Sequence, residues 1–320
     1  MQVSGAFRIA TARQYSIRVY ERFKYHTLLH VAVLIFGTTG VLGRLISLDG
    51  FHTVWHRLWI AVGSMSLILL WSRHRLRGDS KTLMKILGTG VILAAHWVTF
   101  FEAIKRSNVS VALVCFSSAA FFTSILEPLY YRRRIVWREP LFGVFIVAGL
   151  YFVFRFETQY VEGMVLGIVS AALAAWFTVI NGLLVRATDA RTITFFELLG
   201  AFGALSLAML ATGRFDASQL YLTWEDFGWL FALGTVCTAF SFLLSVELVK
   251  HLTPYTFVMA VNLEPIYAIL LAIWIWPESE TMSAGFYGAA AIVIATIFLN
   301  GVLSRWRMKT EGSSATRRLH

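Results

Sequence analysis

Apolar residues gather along this chain into blocks of about 16 to 24, parted by short polar or charged segments. The blocks fall at 27–46, 52–72, 82–101, 109–131, 140–155, 163–185, 192–211, 226–249, 254–276 and 284–304. A helix needs roughly 20 apolar residues to cross the hydrocarbon of a bilayer, so the pattern predicts ten membrane-crossing helices in an all-α integral membrane protein. The block at 140–155 is the shortest and leans on its flanks. Connections between blocks are short, so neighbouring helices run antiparallel, and no linker sets off a soluble domain.

Composition agrees: 58% of the residues are hydrophobic and only 14% charged, against about a quarter charged in soluble domains. The charges change the picture more by their placement. With the N-terminus inside, 21 Lys and Arg fall in cytoplasmic segments and 4 in outer loops. That asymmetry places both termini in the cytoplasm and the protein in the inner (plasma) membrane. It also accounts for the net charge of +10 as a rim against anionic lipid at the cytoplasmic face, with no nucleic-acid partner. The basic segment 1–26 lacks a small-residue cleavage site and reads as a cytoplasmic tail rather than a removable signal; 305–320 forms a second basic tail. Cys115 and Cys237 both lie inside spans without metal-ligand spacing, so neither a metal site nor a disulfide is expected, and no cofactor is implied.

The chain repeats itself once. At an offset of 140, HRLWIAVGSMSL (56–67) lies over FELLGAFGALSL (196–207), and Phe36 over Trp176. At an offset of 145, FFEAIKRS (100–107) lies over SVELVKHL (245–252), pairing Glu102 with Glu247 and Lys105 with Lys250. The organisation is therefore a first five-helix repeat over 27–155 and a second over 163–304. Five is odd, so the second half enters the membrane inverted, the arrangement that lets two similar halves exchange conformations around a central site.

Several of these residues carry a resemblance. Phe36-Gly37 in the first span, Arg57 early in the second, Leu263-Glu264-Pro265 in the ninth, then Glu278, Gly285 and Gly288 stand in the order and spacing of the drug/metabolite transporter superfamily. Over roughly 27–304 the chain resembles its ten-helix EamA-type members. The resemblance implies a basket of helices around a central cavity and, often, export of small metabolites or amino acids. The first half departs from the pattern: at an offset of 145, Ala119-Ala120 occupies the Glu-Pro position. The fourth span is accordingly expected to run unkinked, and Glu127-Pro128 reads as an out-of-register copy.

Charges inside a membrane are costly and mark candidate sites. Glu264 lies about ten residues into its span, on the order of 15 Å deep, and reads as a central acid and candidate proton carrier or, alternatively, a structural tie. Pro265 removes the helical donor to the carbonyl of Val261 and should kink the helix there. Asn262, His96, Trp97, Phe36 and Trp176 are candidate cavity residues; Asn181 and Asn262 can also tie helices together. Arg57 paired with Glu102, and Glu197 paired with Lys250, are candidate outer and inner gates, with carboxylate binding as the sharper alternative for Arg57.

The absence of GxxxxGK[ST], HExxH or a nucleophile elbow speaks against ATP-driven transport by this chain alone. The expected function is secondary transport of a small organic, amino-acid-like metabolite, outward and by alternating access. The rivals are a membrane-embedded or lipid-modifying enzyme using His96 and Glu264, and a passive channel or scramblase. Expected partners are the small-molecule substrate, anionic lipid and, as an open alternative, a second copy of the chain.

Overall fold

A computed structural model describes residues 3–299 apart from Val136, Asp216, Asn262, Ile294, Ile297 and Phe298. Side chains are described from Lys24 on, those of Arg138, Glu139, Ala217 and Gln219 excepted. The helices are α1 (Val3–Leu45), α2 (Gly50–Trp71), α3 (Ser80–Arg106), α4 (Val109–Phe116), α5 (Ala119–Tyr131), α6 (Arg138–Phe156), α7 (Val161–Leu184) and α8 (Ala190–Thr212). After the short α9 (Ala217–Leu220) come α10 (Trp224–Gly234), a π-helical turn at Thr235–Phe240, α11 (Ser241–His251), α12 (Pro254–Val261), α13 (Glu264–Ile275), α14 (Pro277–Glu280) and α15 (Ala284–Val293). Among the described residues, eight helical stretches are long and apolar enough to cross a membrane, and Pro140–Phe156 and Ala284–Val293 are shorter apolar helices. α1 begins at Val3, so the basic N-terminal segment continues directly into the first apolar span. The basic segment 305–320 lies outside the described residues.

Cap residues explain where the helices start, and they repeat. The Asp49 carboxylate accepts from the amide of His52 at 2.7 Å and starts α2; Asp189, 140 residues on, accepts from Thr192 at 3.1 Å and starts α8. Asn108 caps α4 through the amide of Val111 (2.8 Å), and Thr253, 145 residues on, caps α12 through that of Thr256 (3.1 Å). A side-chain oxygen taking one of the orphan amides of the first turn contributes about 1 kcal/mol, and here it also fixes corresponding helix starts in the two halves.

Two spans expected to be single helices are each two. The ninth breaks between α12 and α13, with Pro265 in the first turn of α13. A proline there costs nothing, because its missing N–H would be an orphan at that position. The fourth span, expected to run unkinked, breaks at Ser117-Ser118 between α4 and α5. Its breaker is a serine pair: the Ser118 hydroxyl donates to the Cys115 carbonyl (2.8 Å) and that of Ser117 to Leu113 (3.2 Å), competing with the helical ladder. Shifted by 145, α4 falls on 254–261, the bounds of α12, and the two breaks coincide.

Loop contacts define two opposite faces. On one, the Ser47 amide donates to Asp226 (2.7 Å) and the Lys105 ammonium to the Ile46 carbonyl (2.5 Å). On the other, His74 pairs with Asp189 at 3.0 Å and the Thr188 hydroxyl donates to the Arg77 carbonyl at 2.6 Å.

The first half-helix of each broken span is held by an acid from the other half of the chain: Glu280, just after α13, holds α4, and Glu127, within α5, holds α12. Fully buried Glu280 accepts from the amides of Val109 (3.1 Å) and Ser110 (3.0 Å) and from the Ser110 hydroxyl (2.6 Å) at the start of α4, and pairs with Arg44. Glu127 accepts from the amide of Tyr255 (2.6 Å) at the start of α12 and pairs with Arg133 at 3.2 Å. These carboxylates suit the positive ends of helix dipoles. Removing Glu280 leaves two buried amides and the Ser110 hydroxyl without their acceptor, a loss of about 3 kcal/mol, while half-buried Arg44 can turn to solvent. Glu280→Ala should therefore lower the melting temperature of the purified protein by about 5 °C or more, read by intrinsic fluorescence in detergent; an unchanged melt would mean that α4 is held otherwise.

Candidate functional site

The inner surfaces of α1, α2, α3, α4, α5, α7, the π turn, α11, α12 and α13 leave a cavity of about 760 Å³, open solvent at its mouth included. Its wall is mostly aromatic and aliphatic, with Phe100, Phe116, Phe177 and Phe242 prominent, and its few polar groups converge. That combination is the usual make-up of a small-molecule site. Gly37 makes the approach of α1 to α13 possible: a Cβ there would meet the Tyr267 Cβ at 3.1 Å and the Glu264 carbonyl at 3.6 Å. Phe36, its neighbour, lines the cavity.

Arg57 is the dominant polar group. It is 2% exposed, and its guanidinium lies over Trp97 at 4.0 Å and near Phe101 at 5.5 Å. Its Nε donates to the Thr238 hydroxyl (2.5 Å) and Nη2 to the Cys237 carbonyl (3.4 Å). Both partners belong to the π-helical turn, whose wider winding re-aims backbone carbonyls; such turns recur at functional sites. The stretch 145 residues earlier, within α3, is ordinary helix, so the turn belongs to one half only. The third guanidinium nitrogen, Nη1, is buried with no hydrogen-bond partner. A buried, unspent donor on a cation is expensive, and this one lies on the wall of a cavity.

Glu264 lines the same cavity, 5% exposed, at the first turn of α13. The sequence presents it as a solitary acid. In the fold it and Arg57 lie within electrostatic reach of one another without a direct ion pair among the described residues. The cavity therefore holds one acidic and one strongly basic group, besides His96.

His96 and Trp97 both line the cavity. The His96 ring sits between Phe116 and Phe177, with centroids at 5.6 and 5.4 Å, and its Nδ1 meets the Ser170 hydroxyl at 2.8 Å. Trp176 is not in the cavity. It is 39% exposed, and its indole N–H donates to the Tyr130 hydroxyl at 2.6 Å. The cavity face of α7 passes through Ala174, Phe177 and Thr178; residue 176 stands about 200° from 174 on an ideal helix, so its pairing with Phe36 at an offset of 140 does not carry over to the site. Asn262 lies outside the described residues.

Neither expected gate pair forms. Glu102 accepts from the Gly50 amide (3.0 Å) and from Arg106 (3.2 Å), while Arg57 is committed to the π turn and the cavity. Lys250 is exposed and 3.9 Å from Glu247, its neighbour one turn back. Glu197 is fully buried and accepts from the Asn181 amide at 3.1 Å. The tie between helices expected of Asn181 is present, with Glu197 as its partner.

Sequence reasoning missed three contributors: Glu280 with Arg44, the Ser117-Ser118 break, and the Cys237–Thr238 bracket under Arg57. The only forward signal for the first was an acid in the short polar turn after the ninth span, where Glu278 and not Glu280 matched the motif. A π turn has no such signal.

A model of the EamA-like transporter family matches this chain twice, over residues 23–155 and 161–301. A solved crystal structure of another protein is similar in fold, with a TM-score of 0.66 at 15% identity, covering 89% of this chain and 99% of that one; at that identity the likeness speaks for the fold alone. None of the curated proteins matches.

Proposed function

The chain belongs to the EamA-like transporter family, a family of multi-pass membrane transporters and not of enzymes, and from that premise we propose that it exports an amino-acid-like zwitterion by alternating access. The observation that supports the substrate class is the buried Arg57 nitrogen without a partner among the described residues, on a side chain that lines the cavity with Glu264. Arg57 takes the carboxylate, where a planar guanidinium gives a directed, charge-assisted pair. Glu264 takes the ammonium, and the aromatic wall takes the side chain. Glu264 thus acts as a counter-charge in the cavity, a role its position opposite Arg57 supports better than that of an isolated proton carrier. Ten helices in two inverted halves complete the reading. It is supported by matching helix starts at offsets of 140 and 145 and by paired breaks at Ser117-Ser118 and before Glu264. The broken helices then flex at the cavity, as in other transporters built on inverted repeats.

The test is counterflow in proteoliposomes, using an equimolar mixture of radiolabelled amino acids. A carrier loaded with unlabelled amino acid accumulates label transiently and saturates; flux that neither saturates nor shows counterflow would make the protein a channel, and no flux would remove this substrate class. Orientation has its own prediction. With 21 basic residues against 4, reporters fused after His320 should be active only inside the cell and those inserted near Thr158 only outside. The reverse pattern would overturn the inner placement of both termini.

A further inference from the structure

Glu197 on α8 and Asn181 on α7 form a polar pair outside the cavity wall, 0% and 2% exposed. One bond joins them, from the Asn181 Nδ2 to the Glu197 Oε2 at 3.1 Å. The other oxygen of each group, Glu197 Oε1 and Asn181 Oδ1, is buried without a hydrogen-bond partner among the described residues. Were Glu197 ionised, both of these atoms would be acceptors with no donor, and a carboxylate would sit in a dry interior with a single bond to its name. A single proton removes both defects at once. Placed on Oε1 it would supply the donor that Oδ1 lacks and, with the observed N–H···O bond, complete the two-bond ring that a carboxylic acid makes with an amide.

The surroundings offer no other compensation. The titratable or charged groups on the helices packed against the pair include Lys85 and His96 of α3, Glu127 and Tyr131 of α5, Glu247, Lys250 and His251 of α11, Tyr255 of α12 and, on α2, His56 and Arg57. Lys85 and Lys250 are exposed, Glu127 is spent on Arg133 and the Tyr255 amide, His96 bonds Ser170, and Arg57 gives two nitrogens to the π turn and lines the cavity. No ion pair or hydrogen bond among the described contacts reaches Glu197 from any of them. Around the pair the packing is close: a Cβ on Gly90 of α3 would lie 2.3 Å from the Glu197 carbonyl, and one on Gly200 of α8 2.4 Å from that of Leu87. Oε1 is thus shut off from water in this closed arrangement of α3 and α8. The pair is also tied to the transport site, because Asn181 stands one turn along α7 from Thr178, which lines the cavity.

We propose that Glu197 and Asn181 form a proton-binding site, loaded while the helices are closed around it and emptied when they part, that couples export to a proton gradient. The inference rests on the transport reading, but its direct test does not. Infrared difference spectra of the purified protein, in H₂O and ²H₂O at neutral pH, report a protonated carboxyl by its C=O stretch. A protonated band should be present, shift on deuteration, survive Glu264→Gln and vanish in Glu197→Gln. Asn181→Leu, which removes the amide, should move the band to higher frequency, and this holds as a test even if the Gln variant fails to fold. Absence of such a band in the wild-type protein, or its persistence in Glu197→Gln, overturns the proposal; so does its loss on adding sodium chloride at fixed pH, which would make the site a sodium site. In proteoliposomes given the labelled amino-acid mixture, an imposed pH gradient should accelerate wild-type flux at least tenfold more than that of Glu197→Gln. Equal acceleration in both would sever the site from coupling, whereas a protein that moves no amino acid yet shows the band would fail on substrate class alone.

Discussion

Arg57→Gln should reduce amino-acid counterflow at least 100-fold while leaving a folded, monodisperse protein. Glutamine keeps a planar polar head but loses the charge, and one amide cannot reproduce a charge-assisted pair with a carboxylate. Removing one side of a desolvated, hydrogen-bonded charge pair costs about 2–5 kcal/mol, and each 1.4 kcal/mol is tenfold in affinity. The fold should tolerate the change, because Thr238 still donates to the Leu233 carbonyl at 2.6 Å and Trp97 and Phe101 keep their packing. Arg57→Lys separates charge from shape. It keeps the positive charge but not the fork or the stacking over Trp97, so a loss of about tenfold is expected. Amines made by removing the carboxylate never use Arg57, so inhibition of counterflow by them should differ by less than about threefold between wild type and Arg57→Gln. Counterflow within threefold of wild type in Arg57→Gln would remove Arg57 from the site.

How much of this was legible beforehand depended on which signals are periodic. The ten apolar blocks and the offsets of 140 and 145 came from repeated patterns, and the helix starts at Asp49 and Asp189, and at Asn108 and Thr253, follow them. The Glu-Pro pair marked one break because proline acts on its own helix. Serines are ambiguous in a membrane helix, where their hydroxyls usually bond back to the preceding turn without breaking it, so the break at Ser117-Ser118 was invisible. The gate pairs failed for a different reason. Arg57 and Glu102, like Glu197 and Lys250, were matched by sign and depth, but rotation about each helix decides which neighbour a side chain meets. Rotation sends Arg57 inward to the π turn, Glu102 back to the Gly50 amide and Glu197 to Asn181. Phe36 and Trp176 teach the same lesson: a repeat preserves helices more faithfully than it preserves the faces of individual residues.

Glu264→Gln should produce opposite effects on two ligands that differ by one amino group. The substitution keeps size and hydrogen-bonding capacity, so the first turn of α13 and the approach of Gly37 should survive. For a zwitterion, the ammonium loses its counter-charge, and affinity should fall at least tenfold. For the matching carboxylate without an amine, the effect reverses. Wild-type Glu264 repels it and partly neutralises the field of Arg57 across the cavity; with glutamine in place, Arg57 stands unopposed and the anion should bind several-fold more tightly. Competition of each compound against labelled amino-acid counterflow reads both numbers on the same protein. A proton carrier would behave otherwise: Gln would spare counterflow and the affinities of both ligands, and abolish only the movement driven by a pH gradient. A purely structural carboxyl would leave both affinities alone and lower the melting temperature on replacement by alanine. Only a counter-charge facing the bound ammonium moves the two affinities in opposite directions.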